Sequence, residues 1–399
     1  MFSIFGRGIV LAQKKNRVKV FIIILIFIIY FLVAARPIPR ETVLAQSWIK
    51  SLATSPQTSL SQDENNSADG GNKTDVPVLS GELLPFTLGS RFGYVDSQGQ
   101  FAVNRSMIND ICLSPNMWTE YGAEPANIVI NNILNDTKIN IENTRGYPVL
   151  LDDRIFILGS DQNSLSQIDE NGNVLWTYEF GAPLTCMDAA YDLVVTGSLD
   201  GAVEVFSGKG ERFFYFEPGG SRYSVILGCA VSKDGSHIGI VCGIEQQRFL
   251  LFERFGSAGG EYKIIYHEFL GAGFRRPVYV LFINDDRRIV FERAGGIGCY
   301  TIKSRRGMFI PLDGRIAAVD GSGDQGIFFL ITSHPGQEKK LIGIQFPQEG
   351  LLGFLGNTEL ESVFLKASFK SDDVFLGRRG PTVVTGGGAA LISFSLEEK

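Results

Sequence analysis

The chain has 399 residues, 20% of them charged, and a formal net charge of −6. This length allows two ordinary domains, or one large β domain with a tail. The lack of a general basic field argues against nucleic acid as a partner, and the 46 Gly and 30 Phe favour many short strands joined by tight turns.

The first predicted element is an uninterrupted apolar run at residues 20–35, preceded by four basic residues within 14–19. A helix of this length covers about 24 Å, and flanking basic side chains can extend its reach across a bilayer core of about 30 Å. The sequence therefore predicts a cytoplasmic segment (1–19), a transmembrane anchor (20–35) and a single-pass inner or plasma membrane protein. The C-terminal domain would be periplasmic or extracellular. A cleaved signal peptide is the alternative.

Residues 36–85 are predicted to be a flexible stalk, because Ser, Gln, Asn, Asp and Gly dominate the stretch and it cannot bury enough apolar area to fold. Residues 41–53 within the stalk have a helical pattern. That helix would continue the anchor or lie on the membrane surface, with Trp48 at the interface.

From residue 86 to residue 399, apolar runs of strand length alternate with turns rich in Gly, Asp and Asn. Units of about 35 to 45 residues are typical of propeller blades. The sequence therefore predicts an all-β fold, a β-propeller of seven four-stranded blades. The seven predicted units are 104–144, 147–182, 186–218, 223–269, 277–311, 315–347 and 360–396.

Ring closure is assigned to residues 92–103, which are predicted to pair with the last strands at 383–396. Such pairing removes the exposed edges of the first and last sheets. An open β-sandwich or two separate β domains are the alternatives.

Two stretches carry a family resemblance. Residues 156–176 (FILGSDQNSLSQIDENGNVLW) resemble a blade of the quinoprotein-like (PQQ-type) propellers, and residues 194–216 are similar to a WD40-like blade. The resemblance implies the β-propeller superfamily. It does not imply dehydrogenase activity, because the aspartates that a quinoprotein site would need fall in predicted turns, where they cap backbone amides.

No catalytic, cofactor-binding or metal-binding residue is predicted, and the chain is interpreted as non-catalytic. His237, His267 and His334 are widely separated and have no ligand-like neighbours. The five cysteines show no metal-binding spacing and are interpreted as small buried hydrophobic residues. A bridge between Cys229 and Cys242 across a hairpin is the alternative for that pair.

Paired basic residues are the candidates for partner binding, and most of them fall within residues 271–307. They would form one positive surface for an acidic protein, a phospholipid head group or an anionic polymer. Scattered solvated charge is the alternative. The candidates are Arg275, Arg276, Arg287, Arg288, Arg305 and Arg306.

The function predicted from the sequence is a membrane-anchored propeller that serves as an extracytoplasmic scaffold for envelope proteins. The membrane contact is assigned to residues 20–35. The alternatives are a periplasmic enzyme or ligand sensor with a site in the central channel, and a module that binds polymers or carbohydrates.

Overall fold

The computed structural model describes residues 21–28, 30, 42–53, 83–151, 153–256, 260–271, 273–321, 326–346, 362–369 and 373–398. The chain divides into two compact units. One unit comprises residues 1–43 and 397–399, and the other comprises residues 44–396.

In the first unit, residues 21–28 and 30 are helical. None of the helices among the described residues has the length and apolar character needed to cross a membrane. The prediction of a transmembrane anchor at residues 20–35 is therefore wrong on this finding, and so is the single-pass localisation derived from it.

The second unit is built from eight antiparallel sheets within the described part of the chain, which we number as blades 1 to 8 in chain order. Blade 1 has three strands: β2 (Leu84–Leu88), β3 (Arg91–Val95) and β4 (Phe101–Ser106). Blade 2 contains β5 (Asp110–Leu113), β6 (Met117–Tyr121), β7 (Ile128–Asn132) and β8 (Lys138–Ile141). Blade 3 contains β9 (Gly146–Leu151), β10 (Arg154–Gly159), β11 (Ser164–Ile168) and β12 (Val174–Glu179).

Blades 4 to 6 repeat the same four-stranded arrangement. Blade 4 contains β13 (Leu184–Ala190), β14 (Leu193–Ser198), β15 (Val203–Ser207) and β16 (Arg212–Phe216). Blade 5 contains β17 (Ile226–Val231), β18 (His237–Cys242), β19 (Arg248–Phe255) and β20 (Glu261–Phe269). Blade 6 contains β21 (Val280–Ile283), β22 (Arg288–Arg293), β23 (Gly296–Thr301) and β24 (Arg306–Pro311).

The last two blades differ in where their strands come from. Blade 7 contains β25 (Arg315–Val319), β26 (Ile327–Ser333), β27 (Lys339–Gln345) and β28 (Ser362–Phe369). Blade 8 combines β29 (Val374–Arg379), β30 (Thr382–Gly387) and β31 (Ala390–Glu398) with β1 (Thr42–Ser51) from the start of the chain. Its strand order is β1-β31-β30-β29, so β1 lies at one edge of the sheet.

The position of a strand within its blade determines how much of the strand is buried, and therefore how apolar its sequence is. First strands of successive blades contact each other, for example β13 with β17 and β25 with β29, so they form the inner ring. Every residue of β14 and β23 is buried, because neighbouring blades cover both faces of these middle strands. Fourth strands such as β12 are largely exposed. This explains why the middle strands are continuous apolar runs.

Each of the eight interfaces between neighbouring blades has its own hydrophobic cluster among the described residues. Between blades 5 and 6, for example, Phe249 and Phe291 stack with ring centroids 3.8 Å apart. Between blades 8 and 1, Phe86 meets Phe375 edge to face. The interface between the last blade and the first is therefore packed like the others, which shows that the ring is closed.

Contacts of β1 complete this closure. The indole Nε1–H of Trp48 donates a hydrogen bond of 2.9 Å to the carbonyl of Ser97 in blade 1. The backbone N–H of Leu52 donates to the Ala389 carbonyl at 2.8 Å, and the Leu52 side chain is fully buried. The expectation of a helix at residues 41–53 is wrong: these residues include a propeller strand, which lies inside the predicted stalk (36–85).

The predicted number of blades is also wrong, and so is the closing strand. Residues 92–103 do not pair with the end of the chain, because β3 pairs with β2 and β4 in a separate sheet, blade 1. Blade 1 is therefore the additional blade, which the seven predicted units omitted. The all-β propeller itself is confirmed. Cys229 and Cys242 are both free thiols, so the alternative bridge between them is not formed.

Candidate functional site

Two adjoining cavities lie between blades 6 and 7, with volumes of about 390 and 320 Å³. Both are lined by Arg276, Arg315 and Ile316. The larger one extends along the inner strands to Val278, Tyr279, Ala317 and Ser333, and the smaller one extends to Phe274, Glu292 and Arg293. We call the two cavities together the blade 6–7 groove.

Strand register shows which end of blade 6 forms the groove. Arg293, Gly296 and Pro311 are partners across three neighbouring strands and lie at one end of the sheet, the groove end. Arg288 and Arg306 both pair with Thr301 and lie at the opposite end. The groove is therefore formed by the residues that lead into β21 and β25 and by the turn between β22 and β23.

Arg276 is held in a fixed position at the groove wall. Its Nη1 and Nη2 atoms lie 3.0 and 2.5 Å from the two carboxylate oxygens of Glu292, a bidentate ion pair. Glu292 is buried, and the Arg276 guanidinium lies 5.0 Å from the centroid of the Phe274 ring. Hydrogen bonding to Glu292 raises the pKa of Arg276 above its ordinary value. The charge of Arg276 is thus balanced inside the protein.

Arg293 is balanced in the same way. Its guanidinium forms an ion pair with Glu268 and lies 4.4 Å from the centroid of the Phe309 ring. Glu268 also accepts a 2.8 Å hydrogen bond from the hydroxyl of Tyr266. This arginine therefore supports the groove and brings no uncompensated charge to it.

Arg315 differs from both. It is the first residue of β25, pairs across the sheet with Ser333 and is exposed. Asp313, the nearest acidic residue in sequence, is 2.7 Å from His334 Nε2 and 3.9 Å from Lys340 Nζ. Within the described residues the Arg315 side chain makes no hydrogen bond or ion pair. Its planar donor group is available for an external carboxylate or phosphate.

Tyr279 adds a neutral donor to the larger cavity. Its hydroxyl lies 3.5 Å from the Ala317 carbonyl, a weak contact that leaves it able to turn toward a ligand. Burial, followed by the charge of Glu292, raises the pKa of the Tyr279 phenol above its ordinary value. The group therefore stays protonated at neutral pH.

The segment that carries Arg276 is anchored to blade 5 by Gln247. The Gln247 amide donates to the Phe274 carbonyl at 2.5 Å and accepts from the Phe274 N–H at 3.0 Å, as a neighbouring strand would. Gln247 is only 1% exposed. Its amide therefore fixes the approach to the groove.

We expect Gln247→Ala to loosen this segment, because the backbone N–H and C=O of Phe274 lose their partners. The free energy of unfolding should fall by about 1–3 kcal/mol. Hydrogen exchange should speed up in the peptide that contains Phe274. Gln246→Ala, at the exposed neighbouring position, is the matched control and should change neither quantity. Equal exchange in both variants would show that Gln247 does not anchor the segment.

The structure separates the six arginines predicted for partner binding. Arg275 and Arg276 lie at the groove end of blade 6. Arg287, Arg288, Arg305 and Arg306 lie at the opposite end, in or beside the turns that precede β22 and β24. The single positive surface that these residues were expected to form is thus divided between two ends of one blade.

Arg288 is also buried, with its guanidinium 5.0 Å from the centroid of the Phe346 ring. Arg305 is 3.6 Å from Glu253. Arg293 and Arg315 were not predicted from the sequence, because each is an isolated arginine and not part of a basic pair. The available signal was the position of Arg315, directly after an Asp-Gly turn at the start of a predicted strand.

The described residues contain no group of three or more His, Cys, Asp or Glu arranged to hold a metal ion. The charged donors that line the blade 6–7 groove are the guanidinium groups of Arg276, Arg293 and Arg315, which pair with anions. The groove therefore places positively charged donors beside apolar side chains.

Comparisons with known proteins agree with this fold. An uncharacterized protein of Treponema pallidum (strain Nichols) is 27% identical over 295 residues, which cover 74% of this chain and 75% of that protein. The computationally designed Ika8 protein superposes with a TM-score of 0.54 at 14% identity, covering 80% of this chain and 98% of that one.

BamB from Moraxella catarrhalis superposes with a TM-score of 0.50 at 9% identity, covering 88% of this chain and all of that one, 100%. Identities this low show the fold alone. A beta-propeller protein family, in contrast, matches by its sequence profile across residues 11–398. The chain therefore belongs to this beta-propeller protein family.

Proposed function

We propose that the propeller is a protein-interaction scaffold and that the blade 6–7 groove is its docking site. The observation that carries the proposal is Arg315, an exposed guanidinium without an internal carboxylate partner among the described residues, at the mouth of two cavities. Surface arginines of this kind are enriched at protein interfaces.

The frame around Arg315 supports docking. Arg276 and Arg293 are held by ion pairs with Glu292 and Glu268, and Gln247 fixes the segment that leads to Arg276. A site that is ordered before binding loses less conformational entropy when a partner arrives. That the partner is an envelope protein stays a prediction from the sequence.

Affinity purification from the cells that produce the protein tests this proposal, with three baits compared by quantitative mass spectrometry. The baits are the wild type, Arg315→Glu and Arg287→Glu. Arg287 is an exposed arginine at the opposite end of blade 6, so it controls for a change in net charge. We expect a defined protein to be enriched with the wild type and with Arg287→Glu, and reduced by about tenfold or more with Arg315→Glu.

Equal recovery with all three baits would contradict docking at the groove. Loss with Arg287→Glu alone would place the interaction at the opposite end of the blade. Failure of every bait to enrich a protein would contradict the scaffold function itself.

A further inference from the structure

The charges that line the groove do not cancel. The guanidiniums of Arg276 and Arg293 are matched by Glu292 and Glu268, whereas Arg315 has no acidic partner among the described residues. Arg275, beside Arg276, is also exposed. The site is therefore positive, although the chain as a whole carries a net charge of −6.

Beside the positive charge lies an apolar floor. The larger cavity is lined by Pro277, Val278 and Ile316. Val278 is a buried side chain of the cluster between blades 5 and 6, and Ile316 is a buried side chain of the cluster between blades 6 and 7. The volumes of the two cavities, about 390 and 320 Å³, fall at the low end of the range for ligand pockets, roughly 300–1,000 Å³. The groove therefore has room for only a few side chains.

Charge and shape together select among anionic partners. A long polyanion, such as a nucleic acid, would extend beyond the groove and meet a protein of net charge −6. A short peptide segment would place a carboxylate at Arg315 and an apolar side chain on the floor without extending further. A carboxylate also matches the two parallel N–H donors of one guanidinium.

We infer that the groove binds an extended acidic segment of the partner protein, with an Asp or Glu carboxylate paired to Arg315 and a neighbouring apolar side chain against Val278 and Ile316. This inference rests on the proposed docking function and names its ligand class. The hydroxyl of Tyr279 is placed to donate a further hydrogen bond to the segment.

Fluorescence anisotropy with short labelled peptides tests this inference on the full-length protein. One peptide alternates Glu, Leu and Ser, and its matched control replaces every Glu by Gln. We expect the acidic peptide to bind the wild type and Arg287→Glu equally, and Arg315→Glu about tenfold more weakly or worse. The Gln peptide should bind the wild type about tenfold more weakly than the acidic peptide does. Added salt should weaken the binding of the acidic peptide only.

Arg315→Lys refines the test, because it keeps the charge and loses the planar pair of donors. We expect an affinity between those of the wild type and Arg315→Glu. All variants should show the wild-type circular dichroism spectrum, since Arg315 is exposed.

Equal binding of the Glu and Gln peptides, or an acidic peptide unaffected by Arg315→Glu, would overturn the inference. A single-stranded oligonucleotide is the further control. The inference would also be overturned if the oligonucleotide bound the wild type more tightly than the peptide and lost that binding with Arg315→Glu. If peptide binding fails while protein capture still depends on Arg315, docking stands and the acidic ligand class is wrong. If capture does not depend on Arg315, the proposed function itself is wrong.

Discussion

Deletion of β1 (Thr42–Ser51) is expected to destabilise the propeller strongly, because it removes the strand that closes the ring. The deletion removes the half-buried Trp48 side chain, its hydrogen bond to Ser97 and the pairing with β31, and the combined loss is expected to exceed about 3 kcal/mol. It also leaves β31 as an unpaired edge that can recruit other chains. Urea unfolding should show the loss of stability, and size-exclusion chromatography should show oligomers.

Alternation along β1 supplies the controls. Trp48 is half-buried against blade 1, whereas Ile49, the next residue, is 55% exposed. Trp48→Ala should therefore reproduce much of the destabilisation. Ile49→Ala should change the free energy of unfolding by less than about 0.5 kcal/mol. A deletion variant that stays monomeric and unfolds at the wild-type urea concentration would show that β1 does not close the ring.

Arg378→Met is expected to have the second largest effect. The Arg378 Nη1 atom lies 3.5 Å from Asp320 Oδ2 at the interface of blades 7 and 8, and both side chains are fully buried. Asp320 also accepts a 2.9 Å hydrogen bond from the N–H of Phe329. Removal of the arginine leaves a buried carboxylate with one positive neighbour fewer. The expected loss of unfolding free energy is about 3–5 kcal/mol.

The double variant Arg378→Met with Asp320→Asn separates charge from packing. Because the buried negative charge is then gone as well, part of the lost stability should return, and urea unfolding of the four proteins gives the coupling energy. Arg306→Met, at an exposed position in blade 6, controls for the loss of a surface charge. A single Arg378→Met variant as stable as Arg306→Met would show that the pair does not stabilise the blade interface.

Much of the propeller could be predicted from local signals. The predicted unit 147–182 corresponds to blade 3. Its hairpins are set by local turns. In one of them Asp169 accepts 2.8 Å hydrogen bonds from the N–H groups of Asn171 and Asn173. The buried middle strands of blades 4 to 6 leave apolar runs that are visible in sequence. Such signals depend on neighbours a few residues away, so the sequence shows them.

Ring closure depends on pairing between distant parts of the chain, and it could not be predicted from local sequence. β1 is a strand because β31, more than 300 residues later, offers it an edge, as the contact from the Ser395 hydroxyl to the Ala45 carbonyl shows. Local propensity at residues 41–53 favoured a helix, and the tertiary context overrode it. Because a helix is predicted at residues 41–53, ring closure is assigned to residues that belong to blade 1. Seven blades are therefore predicted instead of eight.

The candidate site was only partly predictable for a related reason. A basic pair such as Arg287 and Arg288 draws attention in sequence, yet neighbouring residues at the start of a strand point to opposite sides, and Arg288 is buried. Arg315 has no basic neighbour. Among the described residues Asp313, two positions away, pairs with His334 and not with Arg315, and only the folded chain brings that pair together.

Site-specific photo-crosslinking tests docking at the blade 6–7 groove most directly. A photoreactive amino acid replaces Arg275, exposed at the groove end of blade 6, or Arg306, exposed at the opposite end, and adducts formed in the producing cells are mapped by mass spectrometry. We expect an adduct with a defined protein from position 275, through a peptide rich in Asp or Glu, and none with that protein from position 306. No adduct from position 275, or equal adducts from both positions, would contradict docking at the groove.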